Sequence, residues 1–234
     1  MKIKYALLLL LLPLMTQAKD LELIGGSQAD FRNISKDIVA TIDYKALGPA
    51  EAGGLTGFSV GTFATYVTVD NEASWTTATG EDIDELGLVG IQANKGLPFD
   101  IDVGAYFSAI PTTSVKVYGA ELRYAFLPGS AVLPAVAIRG TYSKLTGIDN
   151  FDVDSKSVDL SVSKGFAFVT PYAGVGRVFG TSDPDASSGL TKEDIEATKL
   201  FAGVRFGFGL FEMTPEYTRI GDNNAYNLRL GLGF

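Results

Sequence analysis

Side chains able to act as acids, bases or ion-pair partners recur in a set pattern through the second half of this sequence. Glu121, Arg123, Arg139, Arg205, Glu212, Glu216 and Arg229 occupy the polar positions of stretches in which every second residue is apolar. A pair of such carboxylates is the equipment of glycosidase-type acid–base chemistry. Here guanidinium groups are interleaved with the carboxylates on the same face, which points instead to a structural ion-pair network, since such networks perturb ionisation without catalysing anything. No histidine occurs, so imidazole-based triads and dyads and His-built zinc sites are excluded. No cysteine occurs either, which removes disulfides, thiolate metal sites and Cys nucleophiles. No catalytic residue, cofactor site or metal site is assigned.

Three acidic clusters invite a calcium reading: Glu81, Asp82, Asp84 and Glu85; Asp149, Asp152 and Asp154; and Asp183, Asp185, Glu193 and Asp194. None has the spacing of an EF-hand loop, and a solvated surface accounts for them. The glycine-containing stretch Gly174-Val175-Gly176-Arg177 lies inside a predicted strand with no helix after it, so it fails as a dinucleotide-binding turn. The chain has 19 basic against 27 acidic residues, and without Lys2 and Lys4 the net charge falls to about −10. Nucleic acid is a poor partner for such a surface, because phosphate binding needs basic residues.

The elements that must position these side chains are strands. The last stretch, Ala225 to Phe234, places Tyr226, Leu228, Leu230, Leu232 and Phe234 on one face and Asn227, Arg229, Gly231 and Gly233 on the other. At the other end, Met1 to Lys4 is basic, Tyr5 to Leu14 is apolar apart from Pro13, and Thr16-Gln17-Ala18 carries small residues. That order predicts a signal peptide over 1–18, cut after Ala18. Its apolar run is shorter than the ~20 residues a spanning helix needs. Together the two ends resemble those of small outer-membrane β-barrel proteins of Gram-negative bacteria, in which the C-terminal strand with its terminal Phe serves as the assembly signal.

The resemblance implies an all-β fold, an antiparallel transmembrane up-and-down β-barrel, over residues 56–234. Ten strands are predicted, at 56–69, 84–95, 99–110, 113–126, 134–145, 155–165, 168–180, 194–208, 210–220 and 224–234, with eight as the alternative. Connectors alternate between short turns and longer acidic loops, as periplasmic turns and external loops do. Ahead of the barrel, 19–55 forms a separate segment that includes the short run Leu21 to Ile24. Phe31, Ile34, Ile38 and Ile42 fall on one face of a helix capped by Ser27 or Asp30 and stopped by Gly48-Pro49. This helix is expected to pack at the periplasmic mouth. Insertion into the lumen is the alternative, given the slack of Gly53-Gly54.

The same resemblance implies an outer-membrane location and contact with outer-membrane lipid and lipopolysaccharide. The barrel assembly machinery and periplasmic chaperones are the implied partners during biogenesis. The expected role is structural or surface-interacting, with a lumen largely filled by side chains; a narrow, porin-like channel for small solutes or ions is the alternative. A His-independent enzyme ranks third, because the outer-membrane proteases, phospholipases and palmitoyl transferases that the chain would otherwise resemble use a catalytic histidine.

Overall fold

A computed structural model describes residues 25–111, 113–148 and 151–234. The predicted signal peptide, the Leu21 to Ile24 run and Asp149 lie outside the described residues. Ten antiparallel strands close into a barrel: β1 (Phe58–Thr68), β2 (Glu85–Leu97), β3 (Ile101–Ala109), β4 (Lys116–Leu127), β5 (Ala135–Thr146), β6 (Phe151–Ser163), β7 (Val169–Pro184), β8 (Glu193–Phe208), β9 (Phe211–Ile220) and β10 (Asn223–Gly233). Each strand pairs with its sequence neighbours, and β10 returns to β1 in a register that sets Tyr66 opposite Tyr226 and Ser59 opposite Gly233. Every strand edge is thereby paired, which a sheet in hydrocarbon requires.

One rim, here called proximal, holds the start of β1, the end of β10 and the turns 98–100, 128–134, 164–168 and 209–210. The distal rim holds the connector 69–84, which contains a short helix, α2 (Glu72–Thr79), and the connector 185–192 with its single 3-10 turn at Ala186–Ser188. Two boundaries differ from expectation. β6 starts at Phe151, and β7 runs on to Pro184, so the distal connectors on this side are shorter than the sequence suggests. Their outward residues there are charged or polar (Asp152, Asp154, Thr181, Asp183), which hides the strand alternation.

Outward and inward positions separate cleanly. Leu230 is 51% exposed and Arg229 2%, on adjacent residues of β10. Val103, Leu122, Ile138, Leu160 and Leu200 likewise point out and are exposed. Aromatic side chains bound this band at both rims: Tyr66, Tyr118, Tyr142, Tyr217 and Tyr226 distally, and Phe58, Phe126, Phe168, Phe208 and Phe234 proximally. Such girdles mark the two interfaces of a membrane barrel. The parity of β7, unreadable in the sequence, puts Val175, Arg177 and Phe179 outside and Tyr172 and Val178 inside.

The N-terminal helix α1 (Gln28–Ile42) does not sit at the proximal mouth, as its place before β1 suggested. It stands inside the barrel at the distal end, packed against β1, β2, β5, β6, β7, β8 and β10. A capping box starts it: Ser27 Oγ accepts from Asp30 N–H, and Asp30 accepts from Ser27 N–H. Lys45 Nζ ends it by donating to the carbonyls of Ala40 (2.7 Å) and Asp43 (3.0 Å), so carbonyls left over at the helix end are satisfied by a buried ammonium. The helix buries Phe31, Ile34, Ile38, Val39 and Ile42 against inward-pointing Val117, Leu145, Phe151, Val153, Val178 and Ile195. The reason for the placement is this apolar lining. In the distal half the inner face of the wall is apolar too, and only an apolar helix face can cover it without leaving it wet. Gly180 permits the close approach, since a Cβ there would collide with the Val39 side chain.

Candidate functional site

From Asp43 onward the chain runs down the lumen to the proximal rim, and the wall grips it at successive depths. At the distal rim Gln28 exchanges hydrogen bonds with Thr191 in the 185–192 connector, and Arg32 pairs with Glu193 at 2.8 Å. Asp37 accepts from Trp75 Nε1 (2.9 Å), Asn71 Nδ2 (3.0 Å) and Asn223 Nδ2 (2.7 Å), tying α1 to the 69–84 connector and to β10. Burial pushes the Asp37 carboxyl above its ordinary value, and these three donors pull it back only in part. Exposed Asp30 moves the other way, held below the usual range first by the Ser27 backbone N–H and then by its hydroxyl.

At mid-depth lies a buried ion cluster. Lys199 Nζ is 2.9 Å from Asp43 Oδ2 of the threaded segment and 3.0 Å from Asp159 Oδ2 of β6, and it donates to the Tyr44 carbonyl at 2.8 Å. All three charged side chains are fully sealed from solvent. Ser155 Oγ donates to the other Asp43 oxygen. Nearby, Tyr106 donates to the Ile42 carbonyl, Gln92 donates to the Tyr44 hydroxyl, and Leu47 N–H donates to Glu216.

Towards the proximal rim, Arg123 donates to the Pro49 carbonyl, Ser163 accepts from Ala50 N–H, and Asp102 accepts from Gly53 N–H at 2.9 Å. The segment then leaves through a glycine-lined gap. A side chain at Gly96 would run into the Gly54 carbonyl, so only glycine fits where the segment crosses β2. Beneath this crossing opens a cavity of about 430 Å³ whose lining includes Arg123, Arg205 and Arg229 with Glu51, Asp102 and Glu212.

All seven side chains singled out from the sequence point into the lumen, but they form separate groups. Glu121 pairs with Arg139 at 2.9 Å. Glu212 lies between Arg229 (3.1 Å) and Arg205 (3.7 Å), and Arg205 also reaches Glu51 of the threaded segment (3.2 Å). Arg123 turns to Asp102 (3.1 Å) instead of the glutamates. Glu216 takes its hydrogen bonds from Tyr172, Thr218 and the Leu47 amide, with no arginine among the described residues bonded to it. Sequence reasoning missed Lys199, Asp159 and Asp102 as members, although all three share the inward parity. It also missed Asp43 and Glu51, whose segment was expected outside the barrel. Of the residues expected to form the assembly signal, Tyr226, Leu228, Leu230 and Leu232 line the outer side of β10, and Phe234, just after it, stacks near Phe58 across the closure.

Among the described residues no group of three or more acidic side chains is placed to hold a metal ion. Glu193, from one of the acidic clusters, spends its carboxylate on Arg32 and Gln28.

No protein-family model matches the chain, and no curated protein sequence matches it. Among solved structures, the N-terminal β-barrel domain of Pseudomonas aeruginosa OprF is similar over 77% of this chain and 99% of its own, at 12% identity and a TM-score of 0.39. Ail, the attachment invasion locus protein of Yersinia pestis, is similar over 76% and 95%, at 16% identity and a TM-score of 0.30. The KdgM porin is similar over 75% and 99%, at 5% identity and a TM-score of 0.38. The functional reading therefore rests on this chain's own geometry.

Proposed function

We propose that this chain is an outer-membrane β-barrel protein whose lumen is closed by its own N-terminal segment, and that it works as a structural or surface-interacting element, not as a pore or an enzyme. The observation that carries this reading is the threaded segment itself. Residues 28–53 pass through the barrel and are bound by wall side chains at the distal rim, at mid-depth and at the proximal rim. Eight strands leave an interior that side chains fill; ten make room for more, and here a helix and an extended segment occupy it. Leu47, Gly48 and Pro49 of the threaded segment are among the residues that line the proximal cavity.

Membrane insertion is supported by the exposed apolar band between two aromatic girdles and by strands of 9 to 16 residues, enough to cross at a tilt. The two longest connectors, 69–84 and 185–192, both lie on the distal rim, which supports a periplasmic proximal end and an external distal end. Outward Lys116, Lys144, Lys156, Arg177 and Arg219 lie near the distal aromatic girdle, at the depth where phosphorylated lipid headgroups would meet the wall.

The test is single-channel recording of the refolded protein in a planar bilayer. A filled lumen predicts no stable conductance step from wild-type protein. Steady ion-selective conductance from the wild type would replace this reading with the narrow-channel one.

A further inference from the structure

Gly25, Gly26 and Ser27 are exposed and lie at the distal rim, where Gln28 is bonded to the 185–192 connector and Asn33 to Ser74 of α2. The next ion pair down is Lys199 with Asp43, and the next anchors after that are Pro49, Ala50 and Gly53 near the proximal rim. Only then does β1 begin, with Phe58 N–H bonded to the carbonyl of Phe234. The polypeptide therefore crosses the barrel once through the lumen before it crosses ten times in the wall. An odd total puts the two ends of the described chain on opposite rims, although an even-stranded wall alone would bring both to the same side.

We propose that the chain enters the lumen from the outer face of the membrane, so that Gly25, Gly26 and Ser27 are presented at the cell surface while Phe234 faces the periplasm. The opposition of the two ends comes from the threading alone; which of them faces outward rests on the proposed orientation, with the two longest connectors, 69–84 and 185–192, outside. The segment at Gly25 is then a surface element in its own right, continuous with the face formed by α2 and the 185–192 connector.

The absence of cysteine makes the test clean, because each single-cysteine variant carries one thiol. Gly25→Cys introduces a side chain with nothing within 4 Å of its Cβ, so folding is left undisturbed. Asp222→Cys marks the distal β9–β10 turn and Ala131→Cys the proximal 128–134 turn, both at exposed positions. A bulky, membrane-impermeant maleimide is applied to intact cells expressing each full-length variant and, separately, to disrupted cells. The expected result is that positions 25 and 222 label to the same extent in intact cells, while 131 labels only after disruption. Labelling at 222 but protection at 25 until disruption overturns the threading. Protection at 222 with labelling at 131 overturns the outward assignment and, with it, the proposed membrane orientation.

Discussion

Lys199→Met separates a held-together lumen from a merely filled one. Among the described residues the Lys199 ammonium is the one cation paired with both Asp43 and Asp159, and all three groups are fully buried. Coulomb attraction at about 3 Å and the effective dielectric that suits protein interiors is on the order of 5 kcal/mol per pair. Removing the ions from water costs several kcal/mol each, so the assembled cluster is close to balance. Breaking it is a different matter. With methionine in place of lysine, two buried carboxylates lose the ammonium between them, Asp43 keeping only its hydrogen bond from Ser155, and the cost should lie towards the top of the ~3–5 kcal/mol range for a broken buried pair. Replacing all three, as Lys199→Met with Asp43→Asn and Asp159→Asn, removes the charges together and should recover most of that loss. Denaturant unfolding in detergent micelles, followed by fluorescence, measures both. Trp75 is the single tryptophan, fully buried, and bonded to Asp37 of α1, so it reports the seat of the helix directly. A loss below about 1 kcal/mol for Lys199→Met, the size seen for exposed pairs, would refute the reasoning. So would a triple variant no more stable than the single one.

Two further substitutions test the parity of the wall. Leu230 sits outward, midway between the girdle residues Tyr226 and Phe234, so Leu230→Arg should cost ~2–4 kcal/mol in refolding stability. Arg229→Leu should cost less, because Glu212 keeps Arg205; the reverse order in a lipid-vesicle refolding titration would show the parity of β10 to be wrong. The third prediction concerns pH. The Asp37 carboxyl is raised above 3.8 in the folded protein, so the native state holds this proton more tightly than the unfolded chain does. Its contribution is fully present below 3.8 and is lost as pH rises through the raised value, giving a downward slope of stability in that window. Asp37→Asn should flatten the slope in unfolding midpoints measured across it, and an unchanged slope would assign the titration elsewhere.

The wall was legible because membrane barrels write their outer face into alternation. The ten strands, their order and the direction of Glu121, Arg205 and Leu230 come from a period of two. Alternation does not carry the content of the lumen. A helix with apolar Phe31, Ile34 and Ile38 announces that something apolar must cover it, yet the period says nothing about where that surface is. The missing half of the signal was present in the strands. Near their distal ends Val117, Leu145, Val153, Val178 and Ile195 occupy the inward parity, so those stretches are apolar on a face that a water-filled lumen would keep polar. Matching that inner apolar zone to the helix face places the plug. The ion cluster was hidden for a related reason. Lys199 and Asp159 read as ordinary inward polar residues, and their significance depends on Asp43, a residue 156 and 116 positions away from them that no strand periodicity includes. The short helix α2 escaped because its eight residues are folded by contact with α1 through Trp75 and Asn71, not by an amphipathic pattern of their own.

The threaded segment also constrains how the molecule is put together. Its anchors are among the most distant pairs in the chain: Asp37 with Asn223 spans 186 residues, Leu47 with Glu216 spans 169, and Glu51 with Arg205 spans 154. The partners lie on β8, β9 and β10, the last strands, whereas the segment itself comes first. Its polar groups cannot be satisfied until those strands are in place, and contacts of this separation are slow to form because loop closure must precede them. Yet a segment already outside a closed wall would have to be drawn through an interior that its own helix fills. The consistent order is that the wall curls around the segment, with β10 meeting β1 last. On that order the inward charges do two things in the same structure. They make the proximal part of the inner wall polar enough to stay wet while the barrel is open, and they clamp the segment once Arg205 and Glu216 arrive, while Arg229 bonds Ser59 of β1 as the barrel closes.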